Sequence, residues 1–482
     1  MHIVHIASEI APIAKVGGLA DVMMGLGREL KWKGHEVDIF IPKYDTLLTQ
    51  YLSLKKSKEK VASFFRGAWY DNSIWNSGLL HDMSVTFFEP HHPAKFFERG
   101  GIYGFPDDID RFLYFSRACL DYLHTRDTIP DIIHVHDWET AAIAWMIRDE
   151  EFREHFQDTK VVLTIHNMEY QGYAPHDAPR SIGYRGAIEP MLQGGCTNLL
   201  KGGIIAADAI TTVSPTHAKE ILTPEGSKGL LDTILANKGK FSGILNGIDY
   251  TYWNPEIDQY FTSHYSEDDL AGKAAMKEEV IAEFGLEKTP EKPLLVSVSR
   301  LVSMKGLDLL KHTLERAHDF GYQYILLGST GDPVTNEEFL KLQKRFDAGR
   351  EVRIVLRSEE ALAHRLYAAA DIFMMPSLFE PCGLAQLIAL KYGSPPIVRR
   401  TGGLIDTVFD VDCSGRPFEK TNGFTFDNPD PDSLDRVLKR AVRLWKEDKK
   451  KWHALMVQGM CQDFSWNLPT DQYLALYRSL IA

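Results

Sequence analysis

Cysteine is scarce: the 482 residues contain five, at 119, 196, 382, 413 and 461. They are odd in number, scattered and nowhere in a C-x-x-C pair. That argues against a disulfide framework or a zinc knuckle and for a reduced, cytoplasmic setting. Long apolar runs are also missing. No segment approaches the roughly 18 consecutive apolar residues that a membrane helix needs. The N-terminus, MHIVHIASE, has no basic start and no long apolar stretch before a small-residue cleavage site, so it reads as a strand. Excess positive charge is absent too. The formal net charge of −12 is the wrong sign for a nucleic-acid face. An anionic ligand would have to be held by individual cations, which makes Lys and Arg beside glycine turns informative. There are no internal repeats or low-complexity tracts, and KEDKKKW (446–452) reads as a solvated helix face.

What remains is an ordinary soluble composition, 44% apolar and 25% charged, in a chain long enough for two or three domains. Short apolar runs alternate with amphipathic stretches. The strand candidates of the first half are 2–8, 37–42, 84–90, 131–137, 160–167, 209–215 and 241–247, with helical patterns at 19–33, 108–125 and 138–149. The rhythm breaks in the aromatic stretch IDYTYWNPEIDQYF (248–261). It resumes with strands at 294–300, 322–329, 352–358, 371–377, 394–400 and 423–427. This β-α-β alternation predicts an α/β protein with two doubly wound, mainly parallel sheets. The expected division is 1–247, a joint at 248–262, a second domain at 263–462, and a C-terminal segment, 463–482, whose helix packs back on the first domain.

In open α/β sheets ligands bind beyond the carboxyl ends of strands, so those ends are where chemistry is sought. After the first strand, SEIAPIAKVGGLADV (8–22) places Lys15 before Gly17 and Gly18, where the backbone can approach a ligand at a helix start. A tight turn with a solvated lysine would look the same. In VSRLVSMKGLDLL (298–310), Arg300 ends a strand and Lys305 precedes a glycine and a helix, as phosphate-binding cations do. A hydrogen bond to a charged group contributes about 1.5–3 kcal/mol and a helix N-terminus about 0.3–1 kcal/mol, so on a diphosphate the two cations should dominate.

HVHDWET (134–140) puts His134 and His136 on one strand face with Asp137 behind them, which suggests a metal, but no third ligand is close in sequence. Asp137 and Trp138 fit a sugar better, because a carboxylate accepts from hydroxyls and an indole covers a pyranose face. TIHNMEYQG ends a strand with His166 and Asn167. ILNG puts Asn246 at the expected joint, and TGGL (401–404) repeats the glycine-before-helix design. In SLFEPCGLAQ (377–386), Pro381 suits a first helical position and Glu380 an N-cap-like one, though Glu caps poorly. Cys382 at a helix start would be an activated thiol, but no histidine is identifiable as its base. The sharper reading makes Glu380 a hydroxyl-binding carboxylate beside phosphate-binding N–H groups of Gly383, Leu384 and Ala385.

Together these segments, with LLKGGI, TTVSPTHAKEI, NGFTF and DFSW, resemble the bacterial glycogen synthase family almost end to end. The resemblance implies the GT-B fold, two Rossmann-like domains facing across a cleft. It also implies metal-independent, cofactor-free transfer of glucose, with retention, from ADP-glucose to an α-glucan such as glycogen. Carried over by position, Lys15, Arg300 and Lys305 are similar to the family's phosphate-holding cations. Asp137, His166, Asn167, Asn246 and Glu380 match the residues around the transferred glucose, with Gly17, Gly18, Trp138, Cys382, Gly383 and Leu384 in the surrounding substrate site. Three positions bear on the comparison. Ile388 stands where other retaining transferases carry a second glutamate, which glycogen synthases generally lack as well. Leu378 stands where the family usually has Arg, and Ser358 where it usually offers an aromatic for the adenine. The competing readings are a related transferase making another glucoside, and a non-catalytic glucan-binding scaffold.

Overall fold

The computed structural model describes residues 1–48, 52–80 and 83–482. The chain divides into two compact units, Met1–Gly247 with Trp466–Ala482, and Ile248–Ser465. The first unit is built on nine strands: β1 (His2–Ile6), β2 (Glu36–Pro42), β3 (Leu54–Phe65), β4 (Ala68–Leu80), β5 (Met83–Pro90), β6 (Ile132–His136), β7 (Lys160–Ile165), β11 (Ala209–Thr212) and β12 (Phe241–Gly243). A small separate sheet holds the intervening β8 (Tyr173–Ala174), β9 (Leu192–Gln193) and β10 (Cys196–Asn198). The main order is β12-β11-β7-β6-β1-β2-β5-β4-β3, with β1, β2, β5, β6, β7, β11 and β12 parallel. β1, β6 and β11 are buried at every position, as strands covered on both faces must be, and their histidines and threonines are buried with the apolar residues.

The hairpin β3–β4 has no counterpart among the expected strands. β3 reads LKKSKEKVASFF, and its lysines lie on the outer edge of an antiparallel extension. Charge of this kind blunts an exposed edge against further pairing, and it also hides the strand from a search for apolar runs. The helix expected at 138–149 is interrupted at Ala141 and forms two short pieces, Asp137–Thr140 and Ala142–Met146.

In the second unit the strands β13 (Leu294–Arg300), β14 (Gln323–Ser329), β15 (Val352–Leu356), β16 (Ile372–Met375), β17 (Pro396–Arg399) and β18 (Phe424–Phe426) run in the order β15-β14-β13-β16-β17-β18. All pairs are parallel. Counted from the first strand this is 3-2-1-4-5-6, the dinucleotide-fold order, and the first unit follows the same pattern from β1 outward. The helices begin where capping chemistry allows. Asp430 accepts from Ser433 N at 2.7 Å with Pro431 at the first helical position, starting Pro431–Glu447.

The stretch 248–262 belongs to the second unit, which begins at Ile248. Ile248, Trp253 and Phe261 are buried in the second unit's core, and Trp253 stacks on His364 with ring centroids 3.9 Å apart. Asp258 accepts from the Tyr392 hydroxyl and also bonds His364 Nδ1, at 2.5 and 2.7 Å. The aromatic residues are there to fill a core, which is why no regular period marks them. At the other end Trp466 leads the helix Asn467–Ile481 into the first unit. Its indole lies so close to Gly25 that a Cβ there would fall 1.9 Å from Nε1.

Candidate active site

A doubly wound sheet has one crevice where neighbouring strands send their connections to opposite faces. In the first unit that point lies between β1 and β6. In the second it lies between β13 and β16. The residues singled out from the sequence fall largely at these two points.

At the first, Glu9 follows β1 and is 4% exposed. Its Oε2 accepts from the backbone N–H of Val16 and Gly17 at 2.6 and 2.7 Å, and its Oε1 accepts from the Tyr103 hydroxyl at 2.7 Å. Glu9 thus fastens the turn that carries Lys15, Gly17 and Gly18. Lys15 pairs with Asp21 at 2.9 Å. Gly17, just before the helix Gly18–Trp32, has an ordinary extended conformation, and the nearest atom to an added Cβ would be Glu9 Oε1 at 3.8 Å. Neither backbone nor packing demands glycine there, so the missing side chain leaves room above a helix N-terminus, where anions are favoured.

Asp137 follows β6 with a left-handed backbone, φ 53°, an uncommon and costly conformation for a residue with a side chain. Its Oδ1 accepts from the N–H of His166 at 2.7 Å, with Asn167 N at 3.4 Å, so it ties the end of β6 to the end of β7. Burial raises the Asp137 carboxyl above the usual carboxylate range, and Glu9 adds to the shift. Burial likewise lifts Glu139, well above its ordinary value, helped by the charge of Asp137. Asn167 accepts from Glu169 N at 2.9 Å in a local turn. Trp138 meets Phe112 edge-on at 5.6 Å, and the indole lies against Gly172, which leaves no space there for a Cβ. Asn246 lies after β12, away from β6 and β7 in the strand order. It is buried, and its Oδ1 has no hydrogen-bond partner among the described residues.

The metal reading of HVHD gains a third histidine, His5, from the neighbouring strand. Both His134 nitrogens are engaged, however, by Tyr477 and Thr164 at 2.7 and 2.6 Å. His136 is engaged by His5 and His166 at 3.3 and 3.1 Å. The group is knit by hydrogen bonds.

At the second switch point Arg300 ends β13, exposed, with no ion pair or hydrogen bond from its guanidinium among the described residues. Lys305 Nζ pairs with Glu380 Oε2 at 2.5 Å, and the Ser377 hydroxyl donates to the same oxygen at 2.9 Å. The loop bearing Glu380 is clamped on both sides. Leu378 N donates to Met304 O at 2.8 Å, and Arg399 Nε donates to Ser377 O at 3.1 Å. Gly403 N donates to the carbonyls of Glu380 and Pro381, each at 3.1 Å. Gly402 has φ 45°, and a Cβ on it would fall 2.1 Å from the Glu380 carbonyl oxygen. The TGGL and FEPCG segments are therefore two halves of one packed loop.

The helix after this loop begins at Ala385, with Leu384 as its N-cap. Pro381 is not its first residue and Glu380 does not cap it. Cys382 is buried and Gly383 is left-handed, φ 76°. Glu9, Ser377 and Arg399 join these segments although no motif in the sequence marks them. Glu9 follows β1 as Asp137 follows β6, so its position at a strand end is visible in the sequence.

Cations and an open helix start at the switch points of two Rossmann-type sheets suit an anionic donor, and the protein is of the nucleotide-sugar-dependent GT-B glycosyltransferase class. The starch synthase catalytic domain model matches residues 2–236, and the model for glycosyl transferases group 1 matches residues 280–454. Glycogen synthase from Protochlamydia amoebophila is 46% identical, covering 100% of both chains. Glycogen synthase 1 from Trichormus variabilis is 39% identical over 99% of each. The structure of the catalytic domain of starch synthase IV from Arabidopsis thaliana, bound to ADP and acarbose, matches with a TM-score of 0.96 at 42% identity, covering 100% of this chain and 99% of that one. The chain belongs to the glycogen and starch synthase family, and it is a retaining glucosyltransferase. Among the described residues no helix is long and apolar enough to cross a membrane.

Proposed function

We propose that the protein extends α-1,4-glucan by transferring glucose from ADP-glucose to a non-reducing end, in the cytoplasm, with release of ADP. The observation that carries this reading is the unpartnered Arg300 guanidinium at the end of β13, in the strand crevice that also holds the Lys305–Glu380 pair. A departing diphosphate gains negative charge in the transition state. Preorganised cations aimed at it stabilise that state more than the ground state. Arg300 and Lys305 take this role, with Lys15 and the helix start at Gly17–Gly18 as further anion-binding groups. The sugar is held by Glu380 through its second oxygen and by Asp137, His166, Asn167 and Asn246.

A nucleoside diphosphate leaves without a general acid, in contrast to glycosidic cleavage, which uses two flanking carboxylates. Retention then follows from attack of the acceptor hydroxyl on the face the phosphate is leaving, with a phosphate oxygen taking the hydroxyl proton. The protein incubated with glycogen and either ADP-glucose or UDP-glucose, without added metal, should release ADP from the first. No nucleotide release from either donor would remove the proposal. Release from UDP-glucose alone would correct the base, at which Ser358 offers no aromatic face.

A further inference from the structure

Two histidines on adjacent strands and a third just beyond the end of the next form a single hydrogen-bonded file. His5 in β1 lies beside His134 of β6 in register, and β6 lies beside β7. His5 Nδ1 is 3.3 Å from His136 Nε2, and His136 Nδ1 is 3.1 Å from His166 Nε2. His5 and His136 are completely buried, and His166 is half-buried at the end of β7. The inner end of the file, His5 Nε2, is buried with no partner. The outer end, His166 Nδ1, has no protein partner among the described residues and is not sealed in the core.

Burial holds the imidazoles neutral: His5 and His166 are each lowered to about 3, and His136 well below its ordinary range. Three neutral rings carry one N–H each. Two of those protons lie in the two ring-to-ring bonds, so one N–H and one bare lone pair remain for the two ends. The file therefore has two polarities. Either His166 shows its N–H outward and His5 keeps a bare nitrogen inside, or the reverse. A buried N–H without an acceptor is the rarer and costlier defect. The favoured polarity runs from His5 Nδ1–H to His136 Nε2, then from His136 Nδ1–H to His166 Nε2.

We propose that His136, backed by His5, is a positioning residue that locks His166 in the Nδ1–H tautomer, so that its outer edge donates a hydrogen bond to an oxygen of the transferred sugar. The sugar contact rests on the placement of His166 beside the donor glucose given above. A neutral donor suits that position. It holds an oxygen without adding positive charge next to a ring that becomes cationic as the phosphate departs.

The test uses the full chain labelled with ¹⁵N-histidine. Two-bond ¹H–¹⁵N spectra distinguish the two neutral tautomers from each other and from imidazolium, and the His166→Gln variant identifies the His166 signals. At pH 7 the wild type should show His166 as Nδ1–H. Finding Nε2–H or imidazolium there overturns the proposal whatever the variants do. His136→Phe removes the donor to His166 Nε2, and the ring should relax toward Nε2–H, the tautomer preferred by an unconstrained histidine. With one neutral hydrogen bond misdirected, kcat/KM should fall about tenfold. In His136→Asn an amide N–H can take the place of Nδ1–H, and both tautomer and rate should recover to within about twofold. A rate that falls equally in both variants with the tautomer unchanged would overturn the positioning role. Saturation with ADP-glucose should shift the His166 Nδ1–H signal. If the tautomer is as stated but the signal does not move, the sugar contact fails and the placement of His166 fails with it, separately from the tautomer lock.

Discussion

Removing the Lys305 ammonium should have two separable effects. Lys305 Nζ lies 2.5 Å from Glu380 Oε2, with the side chains 17% and 9% exposed. Truncating one member of a fully buried pair costs about 3–5 kcal/mol, because the surviving charge is left uncompensated. Here the Ser377 hydroxyl continues to donate to the same oxygen at 2.9 Å, and the residual exposure admits water. Lys305→Ala should therefore cost about 2 kcal/mol. Adding Glu380→Gln removes the charge that Lys305 neutralised, so the double variant should recover at least half of that loss. Turnover should follow a different course: Lys305→Ala loses on the order of 10² in kcat because a cation on the leaving phosphate is gone. Urea unfolding, followed by tryptophan fluorescence and by far-ultraviolet circular dichroism, reads the first effect. ADP release at saturating ADP-glucose and glycogen reads the second. Near-normal kinetics in a folded Lys305→Ala protein would refute the phosphate role. A double variant no more stable than the single one would refute the account of the pair as a neutralised buried charge.

Arg300→Ala should also lose on the order of 10² in kcat. Its guanidinium has no protein partner among the described residues, so the urea midpoint should move little, unlike that of Lys305→Ala. Gly402→Ala drives a Cβ to within 2.1 Å of the Glu380 carbonyl oxygen at φ 45°. It should destabilise the protein by about 2 kcal/mol or more and lower activity by displacing Glu380, as unfolding curves and ADP release would both report. Asp137 carries the pH signature. Its carboxyl is raised by burial in the folded state, so the native protein binds its proton more tightly than the unfolded chain does. Above the raised value both states are ionised and the native state bears the full penalty. As pH falls from there toward the ordinary value of about 3.9, the penalty disappears. Asp137→Asn should therefore be more stable than wild type at pH 8, with the difference shrinking on acidification. Melting temperatures from pH 8 to pH 5 check this, and a gain that grows on acidification would contradict it.

The cations and glycines at the strand ends were legible because their placement is local. Arg300 and Lys305 lie within one strand-to-helix turn, as do Lys15 and Gly17, and a strand end can be read from a few residues. The clamp on Glu380 was not legible. Arg399, Gly402 and Met304 reach its loop from segments distant in sequence, and no period or composition links them. The same holds for the edge hairpin at Leu54–Leu80, whose lysines conceal a strand, and for 248–262, where aromatic side chains pack a core without regular spacing.

The sequence by itself determined the alternation of strands and helices, the two parallel sheets, the family and most of the residues at the strand ends. These follow from burial on both faces of a parallel strand and from motifs that keep their order. Only the tertiary structure decided which strand ends are neighbours. It brought Glu9 to Asp137, locked Lys305 onto Glu380, folded TGGL against FEPCG, and lined up His5, His136 and His166 across two strands and the end of a third. Hydrogen bonds such as His5 to His136, 131 residues apart, depend on sheet order and register. Those are set by the packing of the whole unit, and local pattern carries no record of them.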